Sequence, residues 1–112
     1  MDKQLQQALE KLVQAAANDY RQFISIHHKT KQELDEQAAE FASEFSFKRG
    51  RKYLKVLCNE GEVWAFINLK NPNFLYGDIL YPAGWATPAL NSARGNIFED
   101  YSVAWTGPHY LS

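Results

Sequence analysis

The residues best suited to contact a ligand lie in the long stretch 77–96, which contains Trp85 and Arg94. This stretch holds three of the six glycines, and its middle has neither helical nor strand periodicity. Irregular loops of this length inside a compact domain are usually functional or disordered, and the apolar residues of this stretch argue against disorder. Gly95 follows the arginine directly, so the backbone and the guanidinium group can approach a phosphate together. The pattern predicts an ordered loop that forms one wall of a binding site.

Aromatic residues in the strand pattern before this loop suggest what the wall would hold. Trp64 and Phe66 alternate with Ala65 and Ile67, so the alternation predicts that both rings share one face of the sheet. Such a face is either the second side of a two-sided core or a platform for stacking a nucleobase, which contributes about 1–3 kcal/mol per base. Both interpretations stay open from the sequence.

A basic stretch precedes the strands, with Lys48, Arg49, Arg51, Lys52 and Lys55 close together. One interpretation is a solvated turn, since charged side chains usually lie in water. The other is a phosphate-binding patch, because guanidinium and ammonium groups are the natural partners of phosphate. The net charge of the whole chain is −1, which argues against a protein that coats nucleic acid.

The sequence offers no catalytic or metal-binding set. His27 and His28 are adjacent, and adjacent helical residues do not face one another, which makes them a poor metal pair. Cys58 follows Leu54 and Val56 at alternate positions and behaves there as a small buried hydrophobe. Nucleophile-elbow, phosphate-loop and dinucleotide-binding motifs are lacking. We therefore expect a non-enzymatic protein without a metal or cofactor.

Two helices and a small sheet must position these residues. Apolar residues recur at helical spacing over 3–27, with Asp2 as N-cap, and again from residue 31 to about residue 46. Thr30 and Glu33 fit a capping box at the start of the second helix. Strand patterns follow over 53–58, 63–69 and 79–81, with further short strands at 97–98 and 101–105 and an end to regular structure at 106–108.

The predicted fold class is therefore α+β: an N-terminal helical hairpin over 1–46, then a small antiparallel β-sheet over 50–112 with a long irregular loop. A length of 112 residues predicts a single domain. No apolar run approaches the roughly 20 residues of a membrane span, and the N-terminus does not read as a signal peptide. One cysteine and these absences predict a cytoplasmic protein.

Five segments resemble a family of small bacteriophage proteins. They are GRKYLKV at 50–56, VWAFI at 63–67, GDILYPAGWATPA at 77–89, ARGNIF at 93–98 and the closing stretch 107–111. With two helices before a small sheet, the chain is also similar to the Thoeris anti-defence sponges of bacteriophages.

The resemblance to the sponges implies a function. Such a protein binds cyclic ADP-ribose signals of bacterial immunity, sequesters them without cleavage, forms a homo-oligomer (a dimer or larger) and acts in the cytoplasm of the infected host. The implied ligand contacts are Phe66, Arg94 and Asn96, with Trp85 shaping the loop and Arg21 reaching the pocket of a partner subunit.

Two alternatives come from other classes of protein. One is a phage accessory protein that binds nucleic acid through the basic stretch 48–55. The other is an inhibitor of a host protein that acts through the helical hairpin, whose second helix carries an acidic stripe.

Overall fold

The structure is a computed structural model, and it describes residues 2–27 and 29–109. Two helices come first: α1 spans Lys3–Ser25 and α2 spans Lys31–Ser43. Asp2 caps α1, since its Oδ1 accepts a hydrogen bond of 2.8 Å from the backbone N–H of Leu5. The predicted capping box at Thr30 and Glu33 is confirmed at the start of α2.

A four-stranded antiparallel sheet follows, in the order β1 (Ser46–Arg49), β2 (Tyr53–Cys58), β3 (Glu62–Asn68) and β4 (Ile79–Leu80). A separate ribbon pairs β5 (Val103–Ala104) with β6 (Gly107–Pro108). The α+β class predicted from the sequence is confirmed. The turn between β2 and β3 places Asn59, Glu60 and Gly61 at positive φ, so three successive residues adopt the left-handed region.

Several predicted boundaries were wrong, mostly around β1. The first helix ends at Ser25 rather than residue 27, and the second ends at Ser43 rather than residue 46. Residues 46–49, assigned to a helix end and a turn, instead form β1 and pair with β2. The turn between them is tight, because the N–H of Gly50 donates to the carbonyl of Tyr53 over 2.8 Å. Near the C-terminus, residues 97–98 form a turn, whereas 107–108, predicted to lie outside regular structure, form β6.

The core contains residues from both halves of the chain. The buried stripe of α1, including Leu5, Leu9 and Leu12, packs in one cluster with Leu54 and Val56 of β2. This burial follows from the helical spacing of the first set and the strand alternation of the second. In the described residues, 2–27 and 29–109, neither helix is long and apolar enough to cross a membrane.

A bulge in β3 corrects the prediction that Trp64 and Phe66 share a face. The register pairs Val56 with Ala65 but Leu57 with Val63, so Trp64 is the extra residue of a β-bulge. Trp64 consequently belongs to the core cluster and contacts the ring of Phe45 at a centroid distance of 5.5 Å. Phe66 keeps its place on the other face of the sheet.

Candidate functional site

Phe66 lies in a row of four residues that crosses the whole sheet. The register places Lys48, Lys55, Phe66 and Leu80 opposite one another on β1, β2, β3 and β4. Directly opposed residues of an antiparallel sheet project from the same face. The neighbouring positions on β2, Leu54 and Val56, are buried in the core beneath the helices. The row therefore lies on the face that the helices do not cover.

A cavity of about 220 Å³ opens on this face at the end that carries the β1–β2 turn. Its lining consists of the contiguous residues 48–53 together with Lys55, Phe66 and Ala86. Five of these nine lining residues are cationic and none is a carboxylate. We call this space the basic cavity, and its cations are Lys48, Arg49, Arg51, Lys52 and Lys55.

Among the described residues, the cations of the basic cavity form no ion pair with a carboxylate. Across residues 2–27 and 29–109 the single ion pair joins Arg21 to Asp35, far from the cavity in the helical hairpin. Five like charges held together by a β-turn and two strands repel one another, and a bound anion relieves that repulsion. The geometry therefore favours a phosphate-bearing or carboxylate-bearing ligand.

Trp85 reaches the same face from the long loop. Residues 81–89 fold into a closed hairpin, in which Pro82 and Pro88 form a bridge and the N–H of Ala89 donates to the carbonyl of Tyr81 over 2.7 Å. Trp85 lies at its tip and is 62% exposed. The Nζ atom of Lys55 lies 3.4 Å from the centre of its ring. The loop thus places an accessible aromatic ring beside the basic cavity.

Arg94 has local partners instead of facing this cavity. Its Nη1 donates to Oδ1 of Asn91 over 2.8 Å and to the carbonyl of Ser92 over 2.6 Å, while its Nε donates to the carbonyl of His109 over 3.2 Å. Its guanidinium carbon also lies 5.2 Å from the ring centre of Tyr81. Among the described residues, those lining the basic cavity do not include Arg94. The guanidinium group thus links the C-terminal end of the long loop to His109 in the C-terminal segment.

Asn96 is a buried structural residue in this fold. Its Nδ2 donates to the carbonyl of Tyr76 over 2.9 Å and to Oδ1 of Asp78 over 3.0 Å. Its Oδ1 accepts a hydrogen bond of 2.9 Å from the N–H of Phe98. The two bonds from Nδ2 join the end of the long loop to the residues before β4, and the bond to Oδ1 fixes the turn at Phe98.

Arg21 is the fifth residue that the sequence assigned to the site. Its Nε donates to Oδ1 of Asp35 over 3.0 Å, so the side chain links α1 to α2. Of the five assigned residues, Phe66 lines the basic cavity with a side chain that is only 1% exposed, and Trp85 lies beside the cavity against Lys55. Arg21, Arg94 and Asn96 lie elsewhere. His28, Tyr110 and Leu111 lie outside the described residues.

The sequence interpretation did not place Lys48 and Lys55 in one row with Phe66. Once β1 is placed, strand alternation puts Lys55 opposite to Leu54 and Val56, on the face of Phe66. The sequence pattern did not reveal the four-residue strand 46–49, because its lysine and arginine are more typical of a turn. Gly50, next to that strand, marked where the chain reverses.

The one cysteine of the chain lies away from this face. Cys58 is buried in the core cluster, and burial, followed by the nearby charge of Glu44, raises the pKa of its thiol to about 11. A thiol of such high pKa is protonated at neutral pH and is a poor nucleophile. What the basic cavity itself offers is binding: five cations, the rings of Tyr53 and Phe66 in its lining and the exposed indole of Trp85 beside it.

Comparison with known proteins places the chain in a family. The model of a family of unknown function, DUF7717, matches residues 1–109, so the chain belongs to this family. The match includes both helices, whereas the resemblance to phage proteins was carried by residues from 50 onward. No curated protein and no solved structure matches the chain.

Proposed function

We propose that this protein is a non-enzymatic binder of a small phosphorylated nucleotide, held on the sheet face that the helices leave uncovered. The observation that carries the proposal is the basic cavity, whose described lining contains five cations and no carboxylate together with the buried ring of Phe66. Charge-assisted hydrogen bonds from Lys and Arg to phosphate are about twice as strong as neutral ones. They supply the affinity for the phosphate part of the ligand.

The cations and the exposed indole contact different parts of the proposed ligand. A cavity of about 220 Å³ accommodates the phosphate end of a nucleotide more readily than the whole molecule. Trp85 stands outside it with one ring face against Lys55, and most of the side chain is exposed. A purine base bound there stacks on the indole, while its phosphates reach the cations.

The finer form of the proposal names a cyclic nucleotide of the cyclic ADP-ribose type as the ligand. It rests on the resemblance to phage-encoded sponges, which implies sequestration without cleavage, a homo-oligomer and action in the host cytoplasm against anti-phage defence. A sponge needs tight binding and no catalytic group, and the basic cavity supplies cations without a nucleophile beside them. The phosphate-binding site stands independently of this finer identity.

The test is a thermal-shift screen against cyclic ADP-ribose, ADP and cyclic dinucleotides. A ligand present at 100 times its dissociation constant adds about 2.7 kcal/mol of stability, which is several degrees for a domain of this size. We expect a shift that the double variant Lys48→Gln/Lys55→Gln abolishes. The matched control, Lys11→Gln/Lys70→Gln, removes the same charge from exposed positions outside the cavity and keeps the shift. A flat panel with the parent protein overturns the proposal.

Nucleic acid is the second candidate ligand for the same residues. The cations fall within eight consecutive residues on an open face beside an exposed tryptophan, which also suits a single strand with stacked bases. Binding to oligonucleotides would then weaken steeply with salt, with a slope set by the number of phosphates contacted. If a mononucleotide binds and its affinity depends only weakly on salt, the small nucleotide is the favoured ligand.

A further inference from the structure

A second concave surface lies between the helices and the C-terminal ribbon. It is a groove of about 360 Å³ that runs along the C-terminal half of α2 toward the β2–β3 turn. We call it the acidic groove. Its lining combines three aromatic rings with two carboxylates: Tyr20, Phe41, Trp105, Glu40 and Glu44, beside Gln37 and Asn59.

The aromatic wall of the acidic groove is held rigidly. The rings of Tyr20 and Phe41 stack at a centroid distance of 4.5 Å, and Trp105 meets Tyr20 edge-on at 5.4 Å. The Trp105 backbone is fixed on both sides: its N–H donates to Oδ2 of Asp19 over 2.8 Å, and its carbonyl accepts from Nε1 of Trp64 over 2.9 Å. Rings ordered before binding lower the entropy cost of binding.

Carboxylates lie beside these rings, and the described lining of the groove contains no cation. One adjoining depression shares Glu44 and Asn59 with the groove and adds Glu60. The other shares Phe41, Asn59 and Trp105 with it and adds Glu62. In residues 2–27 and 29–109, none of the acidic side chains of the groove and its adjoining depressions belongs to an ion pair, since the single pair is Arg21–Asp35. Carboxylates beside aromatic faces form a favourable environment for a guanidinium or ammonium group, which the ring quadrupole also attracts.

We infer that the acidic groove binds a lysine- or arginine-bearing segment of a partner polypeptide. The groove and its two adjoining depressions run from α2 to the β2–β3 turn, so their carboxylates are spread along a line. A single amine engages one of them, whereas a chain with several cations engages them in succession. Phe23, which contacts Trp105 at 5.1 Å and is 48% exposed, adds an apolar rim for the rest of such a segment.

This site is independent of the nucleotide site. The basic cavity surrounds the β1–β2 turn and the acidic groove reaches the β2–β3 turn, and these two turns lie at opposite ends of β2. A partner in the acidic groove therefore leaves the basic cavity open. A failure of one proposal does not imply a failure of the other.

The experiment is a fluorescence-anisotropy titration with a labelled octapeptide of alternating arginine and glycine at low salt. We expect binding to the parent protein that weakens about tenfold in Glu40→Gln/Glu44→Gln, because charged hydrogen bonds are lost. Both glutamates are exposed, so this variant keeps the fold. The matched control, Glu10→Gln/Glu99→Gln, changes the net charge equally at exposed positions outside the groove and binds as the parent does.

Two further readouts separate a seated peptide from diffuse attraction. In a Trp85→Phe background, peptide binding changes the tryptophan emission, which then comes from Trp64 and from Trp105 in the groove wall. With Trp85 intact, Glu40→Gln/Glu44→Gln keeps the thermal shift of the parent protein with inorganic pyrophosphate. The proposal is overturned by equal loss in the groove and control variants, or by spermine binding as tightly as the peptide. It is also overturned if the parent protein alone self-associates at low salt through the same two glutamates, which makes a second copy the occupant.

Discussion

The ammonium nitrogen of Lys55 lies 3.4 Å from the centre of the Trp85 ring, joining the second strand of the sheet to the tip of the 81–89 hairpin. The residues are 30 positions apart in a chain whose long loop turns back over the face that the helices leave open. Lys55 also faces Phe66 on β3. One lysine thereby links the charged and aromatic parts of the candidate site.

Replacing Lys55 tests the charge of the basic cavity. Lys55→Gln removes one of five cations and the contact with the indole, so we expect the affinity for cyclic ADP-ribose to fall about tenfold. The free energy of unfolding should change by less than about 1 kcal/mol, since exposed cation–π contacts contribute about 0.5–1 kcal/mol. Calorimetric titration and urea denaturation measure the two quantities, with Lys70→Gln as the control. Unaltered affinity would remove Lys55 from the site.

Replacing Trp85 separates the base from the phosphates. Trp85→Ala should weaken the binding of cyclic ADP-ribose by about 1–3 kcal/mol, which is the contribution of a stacked base. Binding of inorganic pyrophosphate, which has no base, should stay within about twofold. Competition titrations with both ligands measure the difference. Equal losses for the two ligands would mean that Trp85 shapes the cavity instead of stacking.

Asn96 should act on stability and not on binding. Asn96→Ala removes three hydrogen bonds around a buried amide and leaves the carboxylate of Asp78 short of a donor. We expect a loss of about 1–3 kcal/mol in the free energy of unfolding. Asn73→Ala, at an exposed position, is the control. A folded, fully stable Asn96→Ala protein that no longer binds nucleotide would restore the role that the resemblance implied for this residue.

Substitution of two glycines with positive φ separates the cost of steric crowding from the cost of backbone strain. Gly77 has a φ of +89°, and a Cβ there would lie 2.6 Å from Cδ2 of Phe98, whereas Gly61 has a φ of +107° with open space around it. Gly61→Ala should cost about 1 kcal/mol from strain alone. Gly77→Ala should cost clearly more, and thermal denaturation of both variants measures the difference. Equal costs would show that Phe98 moves aside freely.

Cys58 should make stability fall at alkaline pH. Its pKa is raised from 9.0 to about 11 in the folded protein, so between these values the unfolded chain releases the thiol proton while the folded chain keeps it. Stability is therefore unaffected by this group below pH 9 and decreases as pH rises from 9 to 11. Cys58→Ala should flatten that part of the profile measured by urea denaturation. An unchanged slope would assign the decrease to other groups.

The fold follows from the sequence where the periodicity is strong. The helical stripe with Leu5, Leu9 and Leu12 and the alternation of Leu54, Val56 and Cys58 are local patterns, and both elements were predicted with nearly the right bounds. The capping box at Thr30 has the same local character. The signals for such elements lie within the element or a few residues from its ends.

The strand β1 and the orientation of Trp64 needed tertiary information. Ser46–Arg49 has only Phe47 as an apolar residue, and its strand conformation depends on pairing with β2. Trp64 turns to the core through a bulge that exists only in the register with β2. Without these two features, the sequence interpretation expected Trp64 beside Phe66 and did not place Lys48 and Lys55 in one row with Phe66.

The residues assigned to the site from residue type alone do not lie together in the fold. Arg94 in a glycine-flanked loop has the chemistry of a phosphate ligand, but its guanidinium group is taken up by Asn91, Ser92 and His109. Asn96 is likewise committed to Tyr76, Asp78 and Phe98. Spacing in a sequence indicates which groups are available, and only the hydrogen bonds of the fold show which of them are already used.

The most direct test of the central claim is a ¹H–¹⁵N correlation spectrum of the protein titrated separately with cyclic ADP-ribose and with ADP. We predict that at least one of the two shifts the backbone signals of residues 48–55 and Phe66 and the indole N–H of Trp85, leaving those of Tyr20 and Trp105 in place. Titrations in which neither ligand moves the signals of residues 48–55, or in which the shifts centre on Arg94 and Asn96, would contradict the nucleotide site proposed on the open face of the sheet.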